Sequence, residues 1–150
     1  MITLAVGIFL LYCLVIALVY GVQKSISDSF YTTGQKLYFT VMMMTVMFIL
    51  MAGVKTNIWF IMGAFCLGLV GVAANFKFKK WIAEGVHVAG VFLSIGCFII
   101  GIAIINIWVG LSALLLIALS VYLLRNVNNS TWWREIAIIL IIYGFLMIVL

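Results

Sequence analysis

Two short polar segments of the sequence carry residue types that can do chemistry. The first runs from Ser25 to Gly34 and combines serine and threonine hydroxyls with one carboxylate, Asp28. The second places Glu84 and His87 three residues apart, so that both side chains lie on one face of a helix. A carboxylate beside an imidazole can orient it as a general base, and a serine hydroxyl brought near it would be the nucleophile.

Both segments also have a purely structural interpretation. Ser27 or Ser29 can cap the next helix or form turns with neighbouring backbone amides, and Gly34 suits a turn. A single histidine near a membrane interface is more often a hydrogen-bonded structural group than a base, and His87 is the only histidine of the chain. The candidate catalytic residues are His87, Asp28, Ser27 and Glu84. The candidates for contact with a lipid or a partner are Ser25, Ser29, Tyr31, Asn75, Lys77, Lys79 and Lys80.

The elements that must position these residues are apolar. Of the 150 residues, 69% are hydrophobic and 7% charged, and none is proline, whereas a soluble domain has about 25% charged residues. Several apolar runs approach the roughly 20 residues that cross a bilayer as a helix. The sequence therefore predicts an all-α integral membrane protein, a single domain of about six transmembrane helices with short loops. The predicted spans are residues 2–22, 37–54, 57–75, 86–104, 106–124 and 135–150.

The basic residues predict how these spans are oriented. In a six-span arrangement seven of the eight Lys and Arg residues fall on one side of the membrane, and only Lys55 falls on the other. By the positive-inside rule the first, third and fifth connections are cytoplasmic, and both termini lie on the non-cytoplasmic side. Ser27, Asp28, Asn75, Glu84 and His87 should then all lie near the cytoplasmic surface, where they could converge.

Other function classes lose support. No block of five basic residues is present, so binding of nucleic acid is not expected. Cys13, Cys66 and Cys97 lie inside apolar runs at spacings that fit neither a metal site nor a disulfide framework. No Asp, Glu, Lys or Arg occupies the middle of a predicted span, which argues against a proton-coupled pump or a voltage sensor.

The Ser-Ile-Ser-Asp segment after the first span and the Glu-Gly-Val-His-Val-Ala-Gly segment at the fourth resemble those of small six-span bacterial and phage membrane proteins. These are similar to the Frag/DRAM/Sfk-like families, which have membrane or lipid-related roles. More distantly, the layout resembles the CREST superfamily of alkaline ceramidases and adiponectin-type receptors, seven-helix hydrolases that use Ser, Asp and three His around zinc. The resemblance covers roughly the first two-thirds of the chain.

The resemblance implies a location in the bacterial inner (cytoplasmic) membrane. It also implies that Ser27 and Asp28 match the loop motif and that His87 matches the histidine of the later span. The departure from CREST is the histidine count, since a catalytic zinc ordinarily has three protein ligands and this chain has one histidine. No metal and no other cofactor is therefore expected.

Three hypotheses about function follow. The first is a non-enzymatic protein that binds membrane lipid, another membrane protein or a second copy of itself through its helix faces and its serine-rich cytoplasmic loop. The second is a hydrolase acting on a lipid at the cytoplasmic leaflet, with His87 as base, Glu84 or Asp28 orienting it and Ser27 as nucleophile. The third is an oligomeric channel or carrier. Its polar groups would be Thr40, Thr45, Asn75, Asn106, Ser112 and Ser120.

Overall fold

The structure, a computed structural model, describes residues 1–26, 29, 36–54, 57–73 and 80–150, with the backbone alone for residues 36 and 80–84. Within these residues the chain forms six α-helices and no strand. The helices are α1 (Ile2–Tyr20), α2 (Lys36–Gly53), α3 (Ile58–Ala73), α4 (Lys80–Ile105), α5 (Ile107–Leu123) and α6 (Ser130–Val149). A short 3₁₀ turn, Leu124–Asn126, follows α5. The predicted all-α bundle of six helices is confirmed.

Four of the helices are long and apolar enough to cross a membrane by length and composition. These candidate spans are Ile2–Tyr20, Gly85–Ile105, Ile107–Asn126 and Ser130–Val149. The apolar parts of α2 and α3, Leu37–Gly53 and Ile58–Ala73, are shorter. These are the features of a membrane-embedded helical bundle.

The observed helices depart most from the predicted spans at the starts of α4 and α6. Helix α4 begins at Lys80 rather than at residue 86, and α6 begins at Ser130 rather than at residue 135. The predicted spans began where the sequence becomes apolar, but polar residues such as Lys, Glu and Arg are good helix formers. Hydrophobicity therefore marks where a helix meets the membrane, and the helix itself continues beyond that point.

The helices pack as a ring of five with one helix outside it. Helix α1 contacts α2 and α6, α3 contacts α2 and α4, and α4 also contacts α6, which closes the ring. Among the described residues, the main contacts of helix α5 are with α4, with α6 and with the 3₁₀ turn that follows it. The ring therefore has an interior that α5 does not reach.

Successive helices run in opposite directions, so the bundle has two chemically different ends. The basic end is the one where α1, α3 and α5 finish, and it carries Lys24, Arg125 and Arg134. The opposite end carries Asn57 and Asn106, which stand just before α3 and α5. A hydrogen bond between distant parts of the chain agrees with this arrangement. At the basic end the Trp132 amide donates to the Lys24 carbonyl over 3.1 Å.

Candidate functional site

The interior of the ring is not filled completely. A partly open cavity of about 100 Å³, here called the central cavity, lies between α1, α2, α3, α4 and α6. Residues of α5, all of which are described, do not line it. Its walls are mainly aliphatic and aromatic, with Phe9 from α1, Phe39 and Met43 from α2, and Leu67 and Val70 from α3. The cavity is therefore largely apolar.

Helix α4 supplies one wall through a single face. His87, Val91, Ser94, Ile95 and Phe98 line the cavity, and their spacing of 4, 3, 1 and 3 residues is that of one side of an α-helix. Phe98 stacks on Phe60, with ring centroids 6.2 Å apart, and closes this wall towards the opposite end. The wall thus begins with an imidazole near the basic end and finishes with an aromatic ring.

Helix α6 supplies the facing wall in the same way. Glu135, Ile138, Ile139, Ile142 and Tyr143 line the cavity, again from one helical face. Because α4 and α6 both begin at the basic end, their residues descend into the bundle in parallel. Glu135 and His87, nearer the basic end, form the first polar level of the cavity, at the end here called its mouth, and Ser94 and Tyr143, further from the basic end, form a second, deeper level.

The spacing of the two polar levels follows from helix geometry. Ser94 lies seven residues after His87, and Tyr143 lies eight residues after Glu135. With a rise of 1.5 Å per residue the second level lies about 11 Å below the first. The residues between them, Val91 on α4 and Ile138 and Ile139 on α6, are apolar. Along both walls, apolar residues therefore separate the polar residues of the first level from those of the second.

The two residues at the mouth each bond to backbone. The His87 Nδ1 lies 3.4 Å from the Val70 carbonyl oxygen. The Glu135 carboxylate accepts a hydrogen bond from the Ile26 amide over 2.6 Å. Helices α3 and α4 are thereby linked at the mouth, and α6 is linked to the segment that follows α1.

The two residues of the deeper level are enclosed by the bundle. Ser94 is buried and donates its proton to the Gly63 carbonyl over 2.8 Å, which leaves only acceptor capacity on its oxygen. Tyr143 is 5% exposed, and most of its surface is covered by the surrounding helices.

The rim of the cavity is built by residues 22–26 against the start of α6. Besides the Trp132 and Glu135 contacts, the Asn129 side-chain amide donates to the Val22 carbonyl over 3.0 Å. Ser29 is fully buried beneath this segment, where its hydroxyl donates to the Ile26 carbonyl and shares a 2.7 Å hydrogen bond with the Tyr12 hydroxyl. The described part of the serine-rich segment is thus tied into the bundle by its own hydrogen bonds.

The residues predicted as site candidates divide into three groups. His87 lies in the cavity wall, Ser29 is buried behind the rim, and Ser25 lies in the rim segment. Lys80 and Glu84 lie in the first turns of α4, and their side chains are outside the described structure. Outside the described residues altogether lie Ser27, Asp28, Tyr31, Asn75, Lys77 and Lys79. The predicted convergence of Ser27 and Asp28 with His87 therefore stays a prediction.

Sequence reasoning missed Glu135, Ser94 and Tyr143 as site residues. A signal was available for each, since Ser94 lies seven residues after His87 and Tyr143 eight after Glu135, spacings that return to the same helical face. What the sequence lacked was the pairing of α4 with α6. A polar residue on a helix face marks a site only when the face opposite is known.

Four of the six polar residues proposed for a channel make hydrogen bonds within the bundle. The Asn106 side chain caps α5 by accepting from the Trp108 and Val109 amides. Ser112 and Ser120 donate to carbonyls of their own helix, and Thr40 donates to the Gly71 carbonyl over 2.8 Å. None of these four lines the central cavity.

The helices fit a membrane-embedded bundle, and the ring encloses a largely apolar cavity. Among the described residues no group of three His, Cys, Asp or Glu side chains could hold a metal ion. No protein-family model, curated protein or solved structure matches the chain. The functional argument therefore comes from the cavity itself.

Proposed function

We propose that this protein binds a membrane amphiphile one molecule at a time, with the apolar chain in the central cavity and the headgroup at the basic end. The observation that carries the proposal is the cavity between five helices, apolar through most of its depth and polar at its mouth. Apolar voids of comparable size, roughly 150 Å³, stay dry and bind small hydrocarbons such as benzene. A segment of acyl chain has the chemistry that such a void accepts.

An occupant also improves the packing of the bundle. The side chains that line a void lack contact partners on one side and lose dispersion energy. Phe9, Phe39 and Met43 are buried residues with faces on the cavity, so a bound chain would restore those contacts. A chain that enters the cavity from the bilayer gains little hydrophobic free energy, because lipid tails are as apolar as the helices themselves. Its binding therefore depends on how well it packs against the cavity walls.

The headgroup is proposed to sit among charged and hydrogen-bonding groups. His87 and Glu135 stand at the mouth, and Lys24, Arg125 and Arg134 lie at the same end of the bundle. The Nε atom of Arg134 is buried without a hydrogen-bond partner among the described residues. By the positive-inside rule this end faces the cytoplasm, so the amphiphile would come from the cytoplasmic leaflet.

A substitution that fills the cavity tests the proposal. Val91→Phe adds a ring to the cavity wall, whereas Val88→Phe makes the same change on the exposed side of α4, where Val88 is 51% exposed. Native mass spectrometry of protein released from membranes into mild detergent should show one retained lipid for wild type and Val88→Phe. For Val91→Phe we expect at least a tenfold lower occupancy. Equal occupancy of the two variants would contradict a lipid site in this cavity.

The same preparation addresses a hydrolase, which one observation favours as a second candidate. His87 shares the cavity mouth with the Glu135 carboxylate, so an imidazole and an acid lie beside the place proposed for a headgroup. A hydrolase would release free fatty acid from an added glycerol monoester, and His87→Ala would abolish the release while leaving the helical fold intact. Recovery of the intact ester from wild type would eliminate this candidate.

A further inference from the structure

Hydrogen bonds between distant parts of the chain divide the ring of five helices into two groups, here called the first and second units. The first unit consists of α1, residues 22–26 and α6. Three hydrogen bonds join residues 22–26 to the start of α6 at the rim of the cavity. At the opposite end the Thr3 hydroxyl donates to the Met147 sulfur over 3.5 Å. Helix α6 is therefore bonded to α1 and its extension near both of its ends.

The second unit consists of α2, α3 and α4. The Thr40 hydroxyl of α2 donates to the Gly71 carbonyl of α3 over 2.8 Å. The Ser94 hydroxyl of α4 donates to the Gly63 carbonyl of α3, also over 2.8 Å. Glycines let these helices approach closely, since a Cβ added at any of four positions would overlap a side chain of the neighbouring helix. The four contacts are those of Gly68 with Met47, Gly71 with Met43, Gly90 with Val70, and Gly101 with Phe60.

The central cavity lies between these two units. Phe9, Ile26 and one face of α6 line it from the first unit, and residues of α2, α3 and α4 line it from the second. The units meet mainly at two junctions, α1 with α2 and α4 with α6. At the first junction the Met1 side chain lies so close to Gly53 that an added Cβ would come within 3.0 Å of it. At the second junction α4 and α6 contact each other less extensively, and the cavity lies between the faces that they present.

Helix α5 contacts α4 of the second unit and α6 of the first, so it bridges the junction between them. Ser112 and Ser120 donate to carbonyls of α5 itself, and the Asn106 side chain accepts from the first amides of the same helix. These bonds are kept if α5 shifts relative to the two units. Of the four candidate membrane spans this one is the least buried, at 11%. Helix α5 therefore places few constraints on the distance between α4 and α6.

We infer that the two units move relative to each other about the junction of α1 with α2, and that the cavity opens between α4 and α6. The inference rests on the proposed function for its ligand, whereas the division into units is a property of the bundle alone. A cavity of about 100 Å³ is smaller than the roughly 150 Å³ void that holds benzene, so only a short part of an acyl chain fits inside it as it stands. An amphiphile that enters from the bilayer therefore requires the walls to separate. Movement of two packed bodies about a hinge is a common way of admitting a ligand.

Distances between spin labels on exposed residues test this movement. The labels at Phe92 of α4 and Leu140 of α6, which are 71% and 41% exposed, lie on the two helices that are expected to separate. Two control pairs of exposed residues lie within the units, Phe65 with Phe92 in the second and Leu11 with Leu140 in the first. The three native cysteines are replaced by alanine, so that the labels attach only at these positions. Delipidated protein in detergent is measured by double electron–electron resonance with and without the glycerol monoester of stearic acid, whose binding is followed by native mass spectrometry.

The bound ester should lengthen the distance between Phe92 and Leu140 by about 3–4 Å, the spacing of one layer of carbon atoms in contact, and leave both control distances unchanged. An unchanged distance between Phe92 and Leu140 with ester bound, or an equal change in a control pair, would overturn the inference and leave lipid binding intact. If the ester is not retained, the proposed function fails and the lipid-free distance distributions decide. A distribution for Phe92 and Leu140 that is wider than both controls supports the movement, and equal widths overturn it. If the cysteine-free protein does not fold, ketone-reactive labels on p-acetylphenylalanine at the same positions replace the thiol labels.

Discussion

The two ends of the bundle satisfy their polar groups in different ways. At the opposite end Asn57 and Asn106 each cap the helix that follows, by accepting from the Trp59 amide and from the Trp108 and Val109 amides. At the basic end the Nε atom of Arg134 is buried and has no hydrogen-bond partner among the described residues. The described residues thus satisfy the asparagine side chains of one end and leave the Arg134 Nε of the other unsatisfied.

The packing of side chains also differs along the bundle. Near the opposite end Gly101 of α4 lies so close to the Phe60 ring that an added Cβ would overlap it, and Phe60 itself stacks on Phe98. Towards the basic end the space between α4 and α6 opens into the central cavity. Phe98 belongs to both regions, because one part of it stacks on Phe60 and another lines the cavity. Tight packing around Phe60 near one end thus gives way to the central cavity between α4 and α6.

The largest stability effect should come from the tightly packed end. Gly101→Ala places a methyl group against a fully buried ring, and overpacking of this kind costs about 1–3 kcal/mol. Gly96→Ala on the same helix meets no atom within 4 Å and should change stability by no more than about 0.5 kcal/mol. Thermal unfolding in detergent, followed by circular dichroism, compares the two variants. Equal midpoints would show that the Phe60 ring moves aside for the added methyl group at little cost.

A smaller effect is expected at the rim of the cavity. Glu135→Ala leaves the Ile26 amide without its acceptor, and loss of a partner for a half-buried donor costs about 1–2 kcal/mol. Glu135→Gln keeps an oxygen at that position and should lose less than about 1 kcal/mol, since the hydrogen bond persists without the charge. Hydrogen exchange of the Ile26 amide reports the change locally. Exchange as slow in Glu135→Ala as in wild type would mean that the rim does not depend on this carboxylate.

The smallest effects separate capping from incidental hydrogen bonding. Asn106→Ala removes the cap of α5 and should cost about 1 kcal/mol, whereas Asn106→Ser retains a capping oxygen and should recover most of it. Ser112→Ala removes an exposed hydroxyl that bonds only to its own helix, and we expect a change within about 0.5 kcal/mol. The unfolding midpoints of the three variants measure this order. A larger loss in Ser112→Ala would show that this serine does more than bond to its own helix.

The sequence predicts the architecture of this protein better than its site. Apolar runs of spanning length and the polar interruptions at Asn57 and Asn106 were enough for six helices in one bundle, because both signals are local. The early starts of α4 and α6 were missed since polar residues can be helical beyond the membrane boundary. Length and hydropathy are properties of a segment, and the sequence states them directly.

The site depends on which segments meet, and that is not a local property. His87 was singled out because it is the only histidine, but Glu84 was considered as its partner from spacing within one helix. The structure adds Glu135, which lies 48 residues further along the chain and lines the same cavity. Tyr143 drew no attention, because a tyrosine inside an apolar run is ordinary until the helices that pack around it are known.

The contacts at the rim also set an order of events during synthesis. Residues 22–26 precede most of the chain, but the groups that hold them, Asn129, Trp132 and Glu135, lie more than 100 residues later. Chains are made from the N-terminus at about 5–20 residues per second, so α1 waits several seconds for these partners. The wall of the cavity that α6 supplies can form only when α6 is inserted. If the cavity holds an amphiphile as proposed, its first occupant would be enclosed as the bundle is completed, during biogenesis rather than after it.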